Sequence, residues 1–210
     1  MRKTPFLFFS LTAAAALLFT SCLDYVQSLS WQDGKYRLYT KVTLSKKLLS
    51  MTETGSGEFL RKLEKGAHNT FPEPVETIPV NTETEAGLEL ILTINPRKAS
   101  AREQQLLPKR NGEIISVPFL IGQRESTGSL SGLQGEEESY ARIMLSTAKC
   151  RVLIAKTVLP SVSSAWFAGR GGQDYSIPVY DYGESFCLEI PLTVLYDSGM
   201  YNTENILLRQ

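Results

Sequence analysis

Residues 30–49, SWQDGKYRLYTKVTLSKKLL, carry the clearest local signal in this chain of 210 residues. Asp33-Gly34 is a dipeptide that tolerates the positive φ angles of a tight hairpin turn, and the residues after it alternate. Tyr36, Leu38, Thr40, Val42 and Leu44 fall on one face of an extended segment, with Arg37, Tyr39, Lys41 and Thr43 on the other. That period of two predicts a half-buried antiparallel strand. Ser45 can then cap a short helix over 46–51.

Working outward, 58–65 (EFLRKLEK) reads as a second helical piece ended by Gly66, and Gly55 and Gly57 separate it from the first. Residues 67–86 hold three prolines and little apolar period, and read as a long loop. The segment 87–95 (GLELILTIN) alternates again and stops at Pro96. A short helix is expected over 99–107. A strand is expected over 113–121 (EIISVPFLI), where Pro118 marks an edge or bulge.

Residues 122–138 are polar and glycine-dotted, as a loop would be. Three further strands are expected over 140–145, 151–159 and 186–196, the last pairing with 176–180 through a Tyr182-Gly183 turn. No internal repeat stands out. The sum is an α+β domain, mainly antiparallel β, either sandwich-like or an open sheet, with two or three short helices.

Twenty-two basic residues balance 22 acidic ones, and two of the basic ones, Arg2 and Lys3, begin the chain. A balance of this kind argues against nucleic acid as a partner, because displacing condensed counterions asks for a basic face. Short runs such as Lys46-Lys47, Lys109-Arg110 and 136–138 (EEE) read as solvated surface.

Arg2 and Lys3 precede the apolar run 6–19 (FLFFSLTAAAALLF), the order of an export signal. Its fourteen residues would reach about 21 Å as a helix, against a hydrocarbon core of about 30 Å. No later segment offers the ~20 apolar residues of a span.

The run ends in Leu18-Phe19-Thr20-Ser21-Cys22, which resembles the lipobox of bacterial lipoproteins. Thr20 and Ser21 match the small residues of that motif. Phe19 stands where leucine is usual, as in the relaxed lipoboxes of spirochaetes. The resemblance covers the leader alone. It implies removal of residues 1–21, a diacylglyceryl group on the Cys22 sulfur and an acylated new amine. Two or three acyl chains hold a soluble domain durably, whereas one binds reversibly. Leu23 after the cysteine, rather than Asp, implies transfer to the outer membrane by the same resemblance. Residues 23–31 (LDYVQSLSW) are not a Gly/Ser-rich tether, so a single exported domain, 22–210, is expected to begin almost at the anchor.

Candidate sites are few. Cys150 and Cys187 could form a disulfide in an oxidising compartment. Strand parity instead puts Cys150 with Val152 and Ile154, and Cys187 opposite Phe186, Leu188 and Ile190, which favours two separate thiols. Ser146-Thr147-Ala148-Lys149 matches the S-x-x-K of penicillin-binding enzymes, yet it sits between strands and without companion motifs. His68 is the only histidine, so no metal set and no Ser-His-Asp order is expected, and no cofactor motif is present.

The segment 163–175 (SSAWFAGRGGQDY) places Trp166, Phe167 and Arg170 among serines and glycines. It reads either as a binding loop with aromatic anchors or as aromatics that plug the core. The function expected from these readings is a lipid-anchored envelope protein with a non-catalytic binding or scaffolding role. Its partners would be the membrane, through the N-terminal lipid, and an envelope protein. The alternatives are an envelope hydrolase whose carboxylates meet only in the fold, and a surface-exposed adhesin or ligand.

Overall fold

A computed structural model describes residues 23–51, 55–72, 74–121, 148–196 and 200–210. The leader, Cys22, the loop expected over 122–138, the strand expected over 140–145, and Ser146 and Thr147 lie outside the described residues.

The opening hairpin forms as its sequence dictates. Strands β1 (Leu23–Gln32) and β2 (Lys35–Ser45) pair antiparallel, and Leu38 lies opposite Leu29. Asp33 and Gly34 take φ values of 51° and 75°, the two positive angles of a type I′ turn, whose twist matches that of the strands. Helices α1 (Lys46–Met51) and α2 (Ser56–Thr70) follow. Helix α2 runs past Gly66, beyond the end expected from sequence. Leu63, Ala67 and then Phe71 recur every four residues and are drawn against the core, which outweighs the ~1 kcal/mol that a helical glycine costs.

Residues expected to loop instead contribute β3 (Glu76–Asn81), an edge strand beside β4 (Glu85–Ile94). At an edge, Pro79 costs no ladder bond, which is why a proline-bearing strand can sit there. Gly87 on β4 fixes the fit with β2, since a Cβ built there would lie 2.0 Å from the Val42 carbonyl oxygen.

Helix α3 (Ala101–Gln105) starts in a capping box, in which the Ser100 hydroxyl accepts from the Glu103 N–H and the Glu103 carboxylate from the Ser100 N–H. Strands β5 (Lys109–Asn111) and β6 (Ile114–Pro118) come next. The register of β5 reaches only Ser116, so Pro118 stands where that side of β6 is already unpaired.

After the gap in description come β7 (Lys149–Ala155), β8 (Ser164–Gly169), β9 (Tyr175–Ile177), β10 (Val179–Asp181), β11 (Ser185–Pro191), α4 (Thr193–Tyr196) and β12 (Tyr201–Arg209). Three expectations are corrected here. The strand expected over 176–180 is broken by Pro178, with β9 in one sheet and β10 in the other. The strand expected over 186–196 stops at Pro191 and turns into α4. Residues 164–169 form a strand and not a loop.

The strands form two sheets. The larger has the order β10-β11-β7-β1-β2-β4-β3, antiparallel except where β1 runs parallel to β7; the smaller, antiparallel throughout, has the order β5-β6-β12-β8-β9. The fold is α+β and dominated by antiparallel β. Tyr25, Leu29, Ile154 and Ile190 from the large sheet, Val117, Phe167 and Ile206 from the small one, and Phe119 just past β6 belong to a single buried cluster. Helix α2 packs on β3 and β4. The inner face of the large sheet is thus shared between a narrower sheet and one helix.

Candidate functional site

A cavity of about 140 Å³ opens at the seam between those two covers. The large sheet lines it with Tyr25, Thr40, Val42, Leu88 and Leu90; α2 and the residue capping it supply Leu63, Gly66, Ala67 and Phe71. Leu120 and Ile121, just past β6, complete the wall. The alternation of β1, β2 and β4 aims these sheet residues inward. Among the described residues, Tyr25 is the one ionisable side chain of the lining. Burial, reinforced by nearby Cys150, pushes its phenol well above the ordinary 10, while a hydrogen bond with the Ile121 backbone opposes the shift weakly. The group is therefore neutral at physiological pH.

A polar clamp stands beside the cavity. Gln27 is buried on the inner face of β1. Its Nε2 donates to the Pro118 carbonyl at 2.8 Å, and its Oε1 accepts from the Leu120 N–H at 3.1 Å and the Tyr25 hydroxyl at 3.0 Å. One amide thus serves backbone groups that β6 leaves unpaired where it ends, and it ties the two sheets together.

The opposite face of the large sheet carries charge. Arg151 and Asp24 approach to 2.5 Å and Lys149 and Glu189 to 2.6 Å, while Lys41 lies 3.7 Å from Asp24 and 3.9 Å from Glu85. Carboxylates do gather on this face: Asp24, Glu85 and Glu189 are matched by cations, Glu89 is hydrogen-bonded to Tyr39, and such exposed ion pairs contribute about 0–1 kcal/mol. Among the described residues no three His, Cys, Asp or Glu side chains group as metal ligands, and no helix is long and apolar enough to cross a membrane.

Lys149 opens β7, and its hydrogen bond to Glu189 holds the ammonium above its ordinary range. A Ser–Lys nucleophile pair needs the reverse, a lysine with a depressed pKa on the same helix face as its serine. His68 sits exposed in the last turn of α2.

Cys150 and Cys187 are both buried free thiols. The register sets Cys150 opposite Ile190 and Cys187 opposite Leu153, so the two side chains emerge on opposite faces of the sheet, as parity requires. Burial raises the Cys150 thiol from 9.0 to about 12. It also raises that of Cys187, helped by Glu189 and opposed by Arg151.

The aromatic pair of 163–175 is divided by the alternation of β8. Phe167 is wholly buried, its ring 5.6 Å from that of Phe119. Trp166 points the other way, half-buried beneath the Arg209 guanidinium at 5.5 Å, and Arg170 is exposed in the turn after the strand. A cation–π contact at a surface contributes about 0.5–1 kcal/mol. Trp166→Ala, which loses that contact and the buried half of the indole, is accordingly expected to lower the unfolding free energy by about 1–3 kcal/mol in urea titration. A loss above about 3 kcal/mol would place the indole in the core instead.

Comparison with protein-family models, with curated proteins and with solved structures finds no match.

The cavity was not foreseen in the sequence, since half of its helical wall lies beyond Gly66. A usable signal was present in the four-residue spacing of Leu63, Ala67 and Phe71, which continues the stripe of α2 through the glycine. Gln27 was missed for a different reason. Leu23, Tyr25, Leu29 and Trp31 alternate along β1, and a lone polar residue in that row looks like an interruption unless its partners from residue 118 onward are known.

Proposed function

We propose that this chain is a bacterial envelope lipoprotein, held by acyl chains on Cys22 to the cell membrane or the outer membrane. Its exported domain, in the periplasm or at the cell surface, binds an apolar group without catalysing a reaction. The observation that carries the binding role is the uncharged cavity. Among the described residues its lining holds no carboxylate, imidazole or amine, and Tyr25, the one ionisable member among them, is kept neutral. A volume near 150 Å³ admits a benzene-sized guest. The support for the anchor is the leader, with its basic start, short apolar run and Cys22.

The test uses the full chain carrying Cys22→Ala, purified without detergent and titrated with benzene while side-chain methyl resonances are followed. Saturable shifts are expected at Val42, Leu63, Leu88, Leu90 and Ile121, and Leu63→Trp is expected to remove them. A folded protein whose methyls do not respond would refute the binding role. In cells, Cys22→Ala is expected to move the protein out of the sedimenting membrane fraction, and unchanged sedimentation would refute the anchor.

A further inference from the structure

We propose that the guest of the cavity is the end of an alkyl chain, carried by an amphiphile whose polar head stays outside, and that the membrane to which Cys22 is fixed supplies it. This rests on the binding role above and names the class of ligand.

Chemistry of the wall comes first. Its large apolar members are mostly aliphatic, Leu63, Leu88, Leu90, Leu120 and Ile121, with Phe71 the aromatic among them, and its hydroxyls belong to Thr40 and to Tyr25, the latter already donating to Gln27. A charged or strongly polar ligand would leave water and find no matching partner there, whereas methylenes gain from the transfer.

Size comes second. About 140 Å³ is room for about six carbons, judged by the benzene that a cavity near 150 Å³ accepts. A whole lipid or a sterol exceeds that several-fold. Because the cavity opens to the surface, the rest of a chain and its head can project into solvent.

Position comes third. Tyr25 in the wall stands three residues from Cys22. At about 3.4 Å per residue of strand that is about 10 Å. The β1 register with β2 starts at Leu23 opposite Leu44, which leaves no slack for a longer leash. An anchored protein therefore holds this cavity beside a surface rich in alkyl chains, where proximity raises their effective concentration.

The experiment titrates the full chain carrying Cys22→Ala, so that no covalent lipid competes, with straight-chain carboxylates of four to ten carbons below their micelle-forming concentrations. Calorimetry is expected to show affinity rising about fourfold per added methylene. The rise should level off once about six carbons are enclosed. Leu63→Trp and, separately, Leu90→Phe are expected to weaken the best chain more than tenfold, with melting temperatures recorded to confirm folding. Affinities that are flat across the series, or a rise that both folded variants leave intact, would overturn the assignment.

Benzene binding without any dependence on chain length would sink this proposal alone and leave the binding role standing; no response to either guest would sink both. The source is tested by reconstituting the lipidated wild-type protein into phospholipid vesicles bearing a photoactivatable group near the chain end. Crosslinks are expected on α2 and on Leu120 or Ile121. Their absence would overturn the membrane as the supplier.

Discussion

Gln27→Leu is expected to lower the unfolding free energy by about 3 to 6 kcal/mol, although leucine fills nearly the same volume and is more apolar. The change removes one amide and leaves three polar groups without a partner: the Pro118 carbonyl, the Leu120 N–H and the Tyr25 hydroxyl proton. Each buried group stranded in this way costs about 1–3 kcal/mol, while the extra apolar contact returns only part of the sum. The whole stability of a domain is about 5–15 kcal/mol, so the variant loses a large fraction of it. For a domain of this size that corresponds to a fall in melting temperature of about 6–24 °C. Gln27→Glu is expected to be worse at neutral pH, because it adds a buried charge and keeps no donor for Pro118. Urea unfolding of both variants checks the account. A loss below about 1 kcal/mol for Gln27→Leu would mean that the sheets are joined by apolar packing alone.

The clamp also marks the limit of what the residues foretell. The first hairpin was legible because turn chemistry and alternation agree at Asp33-Gly34 and along Tyr36 to Leu44, and local choices that agree are readable locally. Prolines were ambiguous, because their meaning depends on which strand lies alongside. Pro79 is harmless at an edge, Pro118 ends a ladder, and Pro178 hands the chain from one sheet to the other. The C-terminal strand β12 escaped notice since its register shifts between Asn202 and Leu207, which breaks the alternation that would have announced it. Trp166 and Phe167 looked like one aromatic unit in a loop. Placing them on a strand separates them onto two faces, and only long-range pairing with Leu207 and Ser176 makes the segment a strand. The cavity was the least legible feature, because it exists only where a helix, a wide sheet and the end of a narrow sheet meet.

The second large effect is alkaline. Stability is expected to be constant up to about pH 9 and then to fall steeply, with Cys150 starting the decline. In the unfolded chain this thiol ionises at its ordinary 9.0, and in the fold burial holds it to about 12. Between those values the unfolded chain has released a proton that the native chain still holds, so the unfolded state binds fewer protons and stability drops as pH rises. The slope is about 1.4 kcal/mol per pH unit for one group, or about 3 kcal/mol by pH 11. Tyr25 adds a term of the same sign above pH 10, since burial raises its phenol as well and Cys150 lies close enough to reinforce the shift. Cys187, raised in the same direction, steepens the curve further. Cys150→Ala separates these contributions. It is expected to be less stable than wild type at pH 7, having lost a buried sulfur, yet to hold its stability flatter between pH 9 and 10, with the main decline deferred to the range in which tyrosine ionises. Equilibrium unfolding at half-unit steps from pH 7 to 11 measures both curves. Equal slopes in wild type and variant between pH 9 and 10 would show that Cys150 is not the buried acid that sets the alkaline limit, and a flat wild-type curve to pH 11 would remove the role from Tyr25 as well.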